Sequence, residues 1–396
     1  MSLNQTPSSQ RIHIAFFGLI NAGKSSLVNA FTNQEMSVIS NTPGTTTDPV
    51  KKSMELLPLG PVVIVDTPGF DDKGELGEKR VKKTKEILLK TDIAVLVTEA
   101  GRELKESEKE LLEIFSKKEI PFVIAKNKAD LIDKEYSADE NEVLTSATKL
   151  FGIQELKEKI GAIKIGKQTD NPFISDLFSP GDTVVLVIPI DSSAPKGRLI
   201  LPQQMAIREI LDHGGICLMT KEDEYENILN SLPKKPALVI CDSQVFKKVN
   251  RDTPKDISLT SFSVLMARKN GFLQTAISGA NALSEITDGD KILICEGCTH
   301  HRQCEDIGTV KLPKWIREYT GKNPEFEFAS GSSFPEDLSL FSLIIHCGGC
   351  MITPKEVESR MESAKEQNVP FTNYGTIIAH MNGILERSTY FTKTNI

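Results

Sequence analysis

Arg11-Ile-His-Ile-Ala-Phe-Phe17 is an apolar run of strand length that breaks directly into Gly18-Leu-Ile-Asn-Ala-Gly23-Lys24-Ser25. A helical run from Ser26 to Phe31 follows. Few sequence features restrict a fold so tightly. A strand that feeds a Gly-rich turn and then a helix N-terminus is the phosphate-binding loop of a parallel α/β sheet. The glycines let backbone N–H groups wrap phosphate oxygens, Lys24 reaches the β and γ oxygens, and Ser25 offers its hydroxyl to Mg²⁺. Gly18, Asn21, Gly23, Lys24, Ser25 and Ser26 are therefore the expected phosphate-side residues.

Supporting motifs follow in order. Val62-Val-Ile-Val65 reads as a buried strand ending in Asp66-Thr-Pro-Gly69, which places Asp66 to hold Mg²⁺ through water and Gly69 near a γ-phosphate. Ile93–Val97 is the next strand, and Pro121–Ala125 delivers Asn127-Lys128-Ala-Asp130. A carboxylate at Asp130 can accept from the N1 and N2 donors of guanine. Adenine lacks that pair, so GTP is expected over ATP. Ser146-Ala147 fits the last base-contacting loop. Within Gly44-Thr45-Thr46-Thr47-Asp48, Thr46 is favoured over Thr45 as a second hydroxyl on Mg²⁺. Lys24, Thr46, Asp66 and Gly69 form the expected catalytic set. Hydrolysis should be slow, because Phe70 stands where many small GTPases carry a water-orienting Gln. Asn21 resembles the asparagine by which tRNA-modifying and ribosome-assembly GTPases hold K⁺ in place of an arginine finger, and that implies stimulation by K⁺.

At 396 residues, 39% of them hydrophobic, the chain can build two or three cores. A net charge of −7 and the lack of a dense Lys/Arg stripe argue against nucleic acid as the main ligand. No apolar run is long enough to span a bilayer and no signal-peptide core follows Met1, so no membrane is expected and the cytoplasm is the expected compartment. Seven unevenly spread cysteines make no disulfide framework. In a reducing compartment, clustered cysteines point to metal or redox chemistry.

Beyond the first third, strands at Asp182–Ile190, Ile216–Met219, Ala237–Cys241, Lys291–Cys295 and Phe341–His346 alternate with helical stretches such as Pro202–His213 and Gly271–Ile286. That alternation predicts parallel sheets covered on both faces. The expected fold class is α/β throughout, with a TRAFAC-like P-loop GTPase domain over 1–168 and two further α/β domains, 169–265 and 266–396, with mainly parallel sheets. The middle module carries no chemical motif, and homodimerisation is the role expected for it. No internal repeat is visible in the sequence.

Cys298-Thr-His300 and His346-Cys347-Gly-Gly-Cys350 gather soft ligands in two short clusters, each directly after an apolar strand. Ligands of open α/β sheets collect beyond the carboxyl ends of strands, so two adjacent parallel strands would bring both clusters to one rim. Spacing leaves three readings open. One is an iron–sulfur cluster on Cys298, Cys347 and Cys350 with one iron left to another ligand. Another is zinc, because Cys295-Glu-Gly-Cys298 and Cys347-Gly-Gly-Cys350 make two knuckles, although Cys295 lies in an apolar strand that can point it into the core. The third is reduced thiols without metal.

Together with the GTPase motifs, Cys298-x-His300 and His346-Cys347-x-x-Cys350 resemble the HydF family, the maturation GTPases of iron-only (FeFe) hydrogenases, in order of parts from end to end. The resemblance implies a GTPase domain, a dimerisation domain and a domain, here 266–396, whose 4Fe–4S cluster sits on Cys298, Cys347 and Cys350. It also implies a carrier that accepts a diiron precursor from two radical-SAM maturases and hands it to the apo-hydrogenase. Three thiolates leave one iron with a weaker, replaceable ligand, for which His300, His346, Glu305 and Asp306 are candidates. His13, His213 and His380 read as structural. Two other functions compete. A zinc-stabilised GTPase of the tRNA-modification type predicts tRNA affinity. A redox- or iron-sensing GTPase regulator predicts hydrolysis gated by cluster oxidation.

Overall fold

The structure, a computed structural model, describes residues 11–33, 50–69, 84, 86–132, 139–164, 171–190, 199–297, 306–331 and 333–392. It divides into two compact units, Met1–Gln168 and Thr169–Ile396.

The first unit is built on strands β1 (Ile12–Gly18), β2 (Val50–Leu56), β3 (Gly60–Asp66), β4 (Ile93–Glu99), β5 (Phe122–Asn127) and β6 (Glu142–Leu144). Their order is β2-β3-β1-β4-β5-β6, with β2 antiparallel to β3 and every other pairing parallel. Strands buried on both faces need apolar side chains at consecutive positions, which is why residues 14–17 of β1, 62–65 of β3 and 93–97 of β4 read as unbroken hydrophobic runs. Along β1, Phe16 packs on one face with Leu27 and Phe31, and Phe17 on the other with Leu111 and Phe115. Helix Lys24–Thr32 follows β1 and ends on Asn33, in the left-handed region at φ 54°.

Two four-stranded sheets form the second unit. The first holds β7 (Thr183–Val187), β8 (Ile216–Thr220), β9 (Leu238–Cys241) and β10 (Ser258–Ser261) in the order β10-β9-β7-β8. The other holds β11 (Lys291–Glu296), β12 (Glu325–Ser330), β13 (Leu343–His346) and β14 (Phe371–Asn373) in the order β12-β11-β13-β14. All pairings in both are parallel. The winding is the same in each: the first strand is central, the second lies to one side, the third and fourth to the other. Each fourth strand also ends on the residue that caps the next helix, Ser261 for Phe262–Lys269 and Asn373 for Tyr374–Met381. A repeat absent from the sequence is thus present in the topology.

The sheets share one core, in which Val184, Leu186 and Ile240 meet Leu293, Ile344 and Phe371. The expected boundary at 265/266 falls inside helix Phe262–Lys269, whose Phe262, Leu265 and Met266 belong to that core. The last described residues return to the first of these sheets. Thr260 Oγ1 donates to the Ser388 carbonyl at 2.8 Å, Arg387 donates to Asn250 Oδ1 at 2.7 Å and to the Ile257 carbonyl at 3.0 Å, and Phe391 enters the shared core.

The helix expected over Gly271–Ile286 is observed as Leu273–Asn281 followed by a 3₁₀ turn, Ala282–Glu285, a tightening that begins after Asn281, a poor helix former. β2, β6, β10, β12 and β14 lie outside the strands expected from hydrophobic runs. β6 and β14 are three residues long, and the edge strand β12 alternates Glu with Phe. No helix among the described residues is long and apolar enough to cross a membrane.

Candidate functional site

Two loop clusters carry the chemistry-bearing residues. The first lies where β1 meets helix Lys24–Thr32. Gly23 caps that helix at φ 86°, and no acidic residue stands in its first turn, so the helix N-terminus presents unopposed positive dipole charge. A Cβ on Gly18 would fall 2.2 Å from the Val97 carbonyl oxygen, and one on Gly23 would fall 2.4 Å from Asn127 Nδ2, so both positions need glycine. Lys24 Nζ donates to the Gly18 and Leu19 carbonyls at 2.9 and 2.8 Å, which curls the loop around the ammonium. Asn21 is exposed at φ 64°. Ser25 Oγ donates to Asp66 Oδ2 at 2.6 Å, Ser26 is half-buried beside it, and Gly69 packs against Ile20 of the loop.

Asp66 is fully buried, and its Oδ1 has no hydrogen-bond partner among the described residues. Burial pushes its carboxyl up in pKa, while the Ser25 hydroxyl and the Lys24 charge pull it down. A buried polar atom without a partner costs ~1–3 kcal/mol. A hydrated Mg²⁺ between Ser25 and Asp66 would remove that cost, so these residues fit the ion.

Asn127 ties this loop to the base side. Its Nδ2 donates to the Ala22 carbonyl at 3.1 Å and its Oδ1 accepts from the Ala147 backbone N–H at 3.2 Å. Lys128, left-handed at φ 62°, pairs with Glu99. The exposed Asp130 carboxylate accepts from Ser146 Oγ at 2.5 Å and is held below its ordinary pKa by that bond. The structure therefore brings Asn127, Asp130, Ser146 and Ala147 together on one side of the loop. Thr46 and Phe70 lie outside the described residues.

The second cluster is the carboxyl rim of the β11–β13 pair. Cys295 and His346 are register partners, and the Cys347 N–H donates to the Cys295 carbonyl at 2.8 Å. Cys347 Sγ accepts from the backbone N–H groups of Gly297, at 3.1 Å, and Gly349, at 3.4 Å. Gly297, which precedes Cys298 in the sequence, thus lies at the same rim as Cys347. Cys298, His300 and Glu305 themselves lie outside the described residues. Among the described residues, no three His, Cys, Asp or Glu side chains gather closely enough to hold a metal ion.

Backbone N–H groups aimed at a partly buried sulfur suit a thiolate, and to that extent Cys347 fits a cluster. Burial raises the thiols at this end of the sheet: Cys347, Cys350 to about 11, and Cys295 to about 12. The Arg360 charge pulls Cys295 and Cys347 the other way. Cys295 is fully buried in the shared apolar core.

His346, a candidate ligand by sequence, is also fully buried, and both its ring nitrogens are engaged. Nδ1 is 2.8 Å from the Cys347 carbonyl and Nε2 is 3.1 Å from Arg360 Nη1. Burial, then the neighbouring Arg360 charge, lowers its pKa to about 3. As folded, it turns neither nitrogen to the rim. Asp306 accepts from the Thr309 N–H at 2.8 Å and caps the π-helical turn Ile307–Lys311.

Sequence reasoning missed Arg360, Glu356 and the pair formed by Glu296 and Tyr374, whose hydroxyl lies 3.3 Å from Glu296 Oε1. Glu356 and Arg360 stand four residues apart on helix Pro354–Glu366 and read as a surface ion pair, yet both are buried.

Comparison with known proteins adds the lineage. Residues 13–128 match the family model described as 50S ribosome-binding GTPase. Residues 173–271 match the hydrogen maturase F dimerization domain, and 274–390 the hydrogen maturase F tetramerization domain. The tRNA modification GTPase MnmE of Thermoanaerobacter sp. (strain X514) is 35% identical over 154 residues, covering 37% of this chain and 33% of the relative. GTPase Der of Kosmotoga olearia is 29% identical over 189 residues, covering 42% of each. The chain thus spans about a third of the length of the MnmE relative and under half of the Der one.

Among solved structures, Era in complex with MgGDPNP and nucleotides of 16S ribosomal RNA is similar at 20% identity and a TM-score of 0.34, covering 53% of this chain and 91% of that one. The G domain of the T. maritima FeoB iron transporter is similar at 24% identity and a TM-score of 0.29, covering 38% and 97%. Scores this low carry no functional weight. The match of two consecutive hydrogen maturase F domains behind a P-loop GTPase domain is decisive: the chain belongs to the HydF family of hydrogenase maturation GTPases.

Proposed function

We propose that this protein is a GTP-hydrolysing scaffold that holds a 4Fe–4S cluster and carries the diiron precursor of the FeFe-hydrogenase active site to the apo-enzyme. The observation that carries this reading is the Gly297 N–H bond to Cys347 Sγ, which sets the ends of β11 and β13 side by side with Cys298 one residue further on. Cys298, Cys347 and Cys350 would hold the cluster, which supplies an iron whose remaining position can exchange ligands. The burial of Cys295 argues against a closed four-thiolate zinc shell. The engagement of both His346 nitrogens favours His300 or Glu305 for the exchangeable position.

In the first unit, Lys24, Ser25, Thr46 and Asp66 would hold the triphosphate and Mg²⁺, with Gly69 at the γ-phosphate. Asn127, Lys128, Asp130, Ser146 and Ala147 would hold the base. Mg²⁺ offsets the charge on the β and γ oxygens. The exposed, left-handed Asn21 supports stimulation by K⁺, and Phe70 in place of a water-orienting Gln supports slow hydrolysis. GTP turnover biases the exchange of partners, namely two radical-SAM maturases and the apo-hydrogenase, and does no chemistry on the cargo. Edge strand β8, with Ile216 and Met219 more than half exposed, supports homodimerisation through the 169–265 module. The cytoplasm is the compartment in which these steps belong.

The test is anaerobic reconstitution with iron and sulfide, followed by EPR of the reduced protein beside Cys298→Ala, Cys347→Ala and Cys350→Ala. A 4Fe–4S signal lost in each variant is expected. An EPR-silent protein with tightly bound zinc would overturn the reading.

A further inference from the structure

The buried pair Glu356–Arg360 has no stability rationale. An exposed pair four residues apart on a helix contributes ~0.3–0.5 kcal/mol, and burying one usually gains nothing over apolar residues of the same volume. Here both side chains are no more than 4% exposed. Arg360 donates to Glu356 Oε1 at 2.6 Å, to the Gly331 carbonyl and to His346, and its guanidinium lies 5.3 Å from the centre of the Phe334 ring. Gly331 follows β12 and bonds through its own N–H to the Glu296 carbonyl at the end of β11. One side chain thus ties together the ends of β12 and β13 and the helix that follows the cysteine loop.

Hydrogen-bond chemistry fixes the histidine. A guanidinium has five donors and no acceptor, so His346 Nε2 must be the acceptor at 3.1 Å. The proton then sits on Nδ1, which donates to the Cys347 carbonyl at 2.8 Å. At the far end of the loop, Thr353, three residues after Cys350, caps the same helix by accepting from the Glu356 N–H at 3.2 Å. Helix Pro354–Glu366 therefore holds the Cys347–Cys350 loop at both ends.

We infer that Arg360 is the positioning residue of the cysteine rim: it locks His346 in the Nδ1–H tautomer and through it the Cys347 carbonyl, so that His346 orders the loop and does not ligate iron. The inference rests on the cluster reading above for its consequence, but not for its geometry. Arg360 also neutralises the buried Glu356 carboxylate behind the rim, and a neutral variant would leave that negative charge uncompensated, which disfavours a reduced cluster.

The full-length chain is compared with Arg360→Lys, Arg360→Gln and His346→Asn; in the last, the amide can still donate to the Cys347 carbonyl. In metal-free protein, ¹⁵N NMR of labelled histidine is expected to show the Nδ1–H tautomer for His346, lost to a mixture in Arg360→Gln. After reconstitution, EPR-monitored redox titration is expected to give a more negative midpoint in Arg360→Gln and a return toward wild type in Arg360→Lys. Pulsed EPR should give the same nitrogen coupling in wild type and His346→Asn. Loss of a nitrogen coupling in His346→Asn would overturn the inference, as would an Arg360→Gln protein with unchanged tautomer and midpoint. If Arg360→Gln does not fold, the Arg360→Lys and His346→Asn comparisons decide. A wild-type chain that takes up no cluster would refute the proposed function instead, and the tautomer measurement would still decide what Arg360 holds.

Discussion

His13 offers a quantitative test of the first unit. Its ring lies 5% exposed at the start of β1, with Nδ1 2.9 Å from the Arg11 carbonyl, and its backbone N–H donates to Asp92 Oδ2 at 2.7 Å. Burial lowers its pKa from 6.5 to about 4; the Arg11 carbonyl opposes the shift, and Lys51 and Lys90 add to it. The sign follows from which state binds the proton. Above pH 6.5 the imidazole is neutral folded or unfolded, and its contribution to stability is complete. Between 6.5 and about 4 the unfolded chain takes up a proton that the folded one refuses, so stability falls with pH and levels off below. At ~1.36 kcal/mol per unit the whole loss is ~3.4 kcal/mol, of which ~1.4 kcal/mol is spent by pH 5.5. His13→Asn keeps a donor for the Arg11 carbonyl and cannot be protonated. Hydrogen exchange of the β1, β3 and β4 amides at pH 8 and pH 5.5, corrected for intrinsic rates, gives the opening free energy in both proteins, and other titrating groups cancel in the difference. The wild type should lose ~1.4 kcal/mol more than His13→Asn over that interval. Equal losses would mean that His13 is protonated in the folded unit and the burial argument is wrong.

Asn127→Ala leaves the Ala22 carbonyl and the Ala147 N–H without their shared partner, and at ~1 kcal/mol per bond it should cost the first unit ~2 kcal/mol. Guanine nucleotide affinity should fall at least about tenfold in a fluorescent GDP titration, a factor worth ~1.4 kcal/mol, and unchanged binding would show that the Asn127 clasp does not shape the site. Gly279→Ala would put a Cβ 2.1 Å from the Phe371 carbonyl oxygen, where helix Leu273–Asn281 crosses β14. Thermal melts should register a loss of ~1–3 kcal/mol in the second unit, and an unchanged midpoint would mean the crossing can open freely. Met219→Lys puts a charge on the exposed edge strand β8, and sedimentation should show dimers giving way to monomers. Dimers that persist would locate self-association elsewhere.

The parts legible in sequence were those whose chemistry demands fixed spacing or whose burial demands an unbroken apolar run. β1 and its loop, β3 ending at Asp66, and β11 and β13 as carriers of the cysteine clusters all belong there. What stayed hidden had local patterns that pointed elsewhere. β12 reads Glu-Phe-Glu-Phe because an edge strand need bury only part of its surface, and β14 is too short to show a period. Arg360 was invisible for a sharper reason: a Glu and an Arg four apart on a helix are normally solvated, and only the ring of Phe334 and the ends of β12 and β13 closing over them make this pair internal. His346 was legible as important but not in its contacts, since a motif histidine beside cysteines looks the same in sequence whether its nitrogens face a metal or, as here, an arginine and a carbonyl.

The return of residues Ile384–Thr392 to the β7–β10 sheet also sets an order in time. The core of the first unit is complete once helix Ile153–Gly161 has been made, so that unit can close while the rest of the chain is still being synthesised. The β7–β10 sheet cannot, because Arg387, Ser388 and Phe391 supply hydrogen bonds and core to it from more than a hundred residues away. At synthesis rates of about 5–20 residues per second, its apolar strands wait on the order of tens of seconds for their last cover. A growing chain would hold a finished nucleotide unit well before it held a finished cysteine rim.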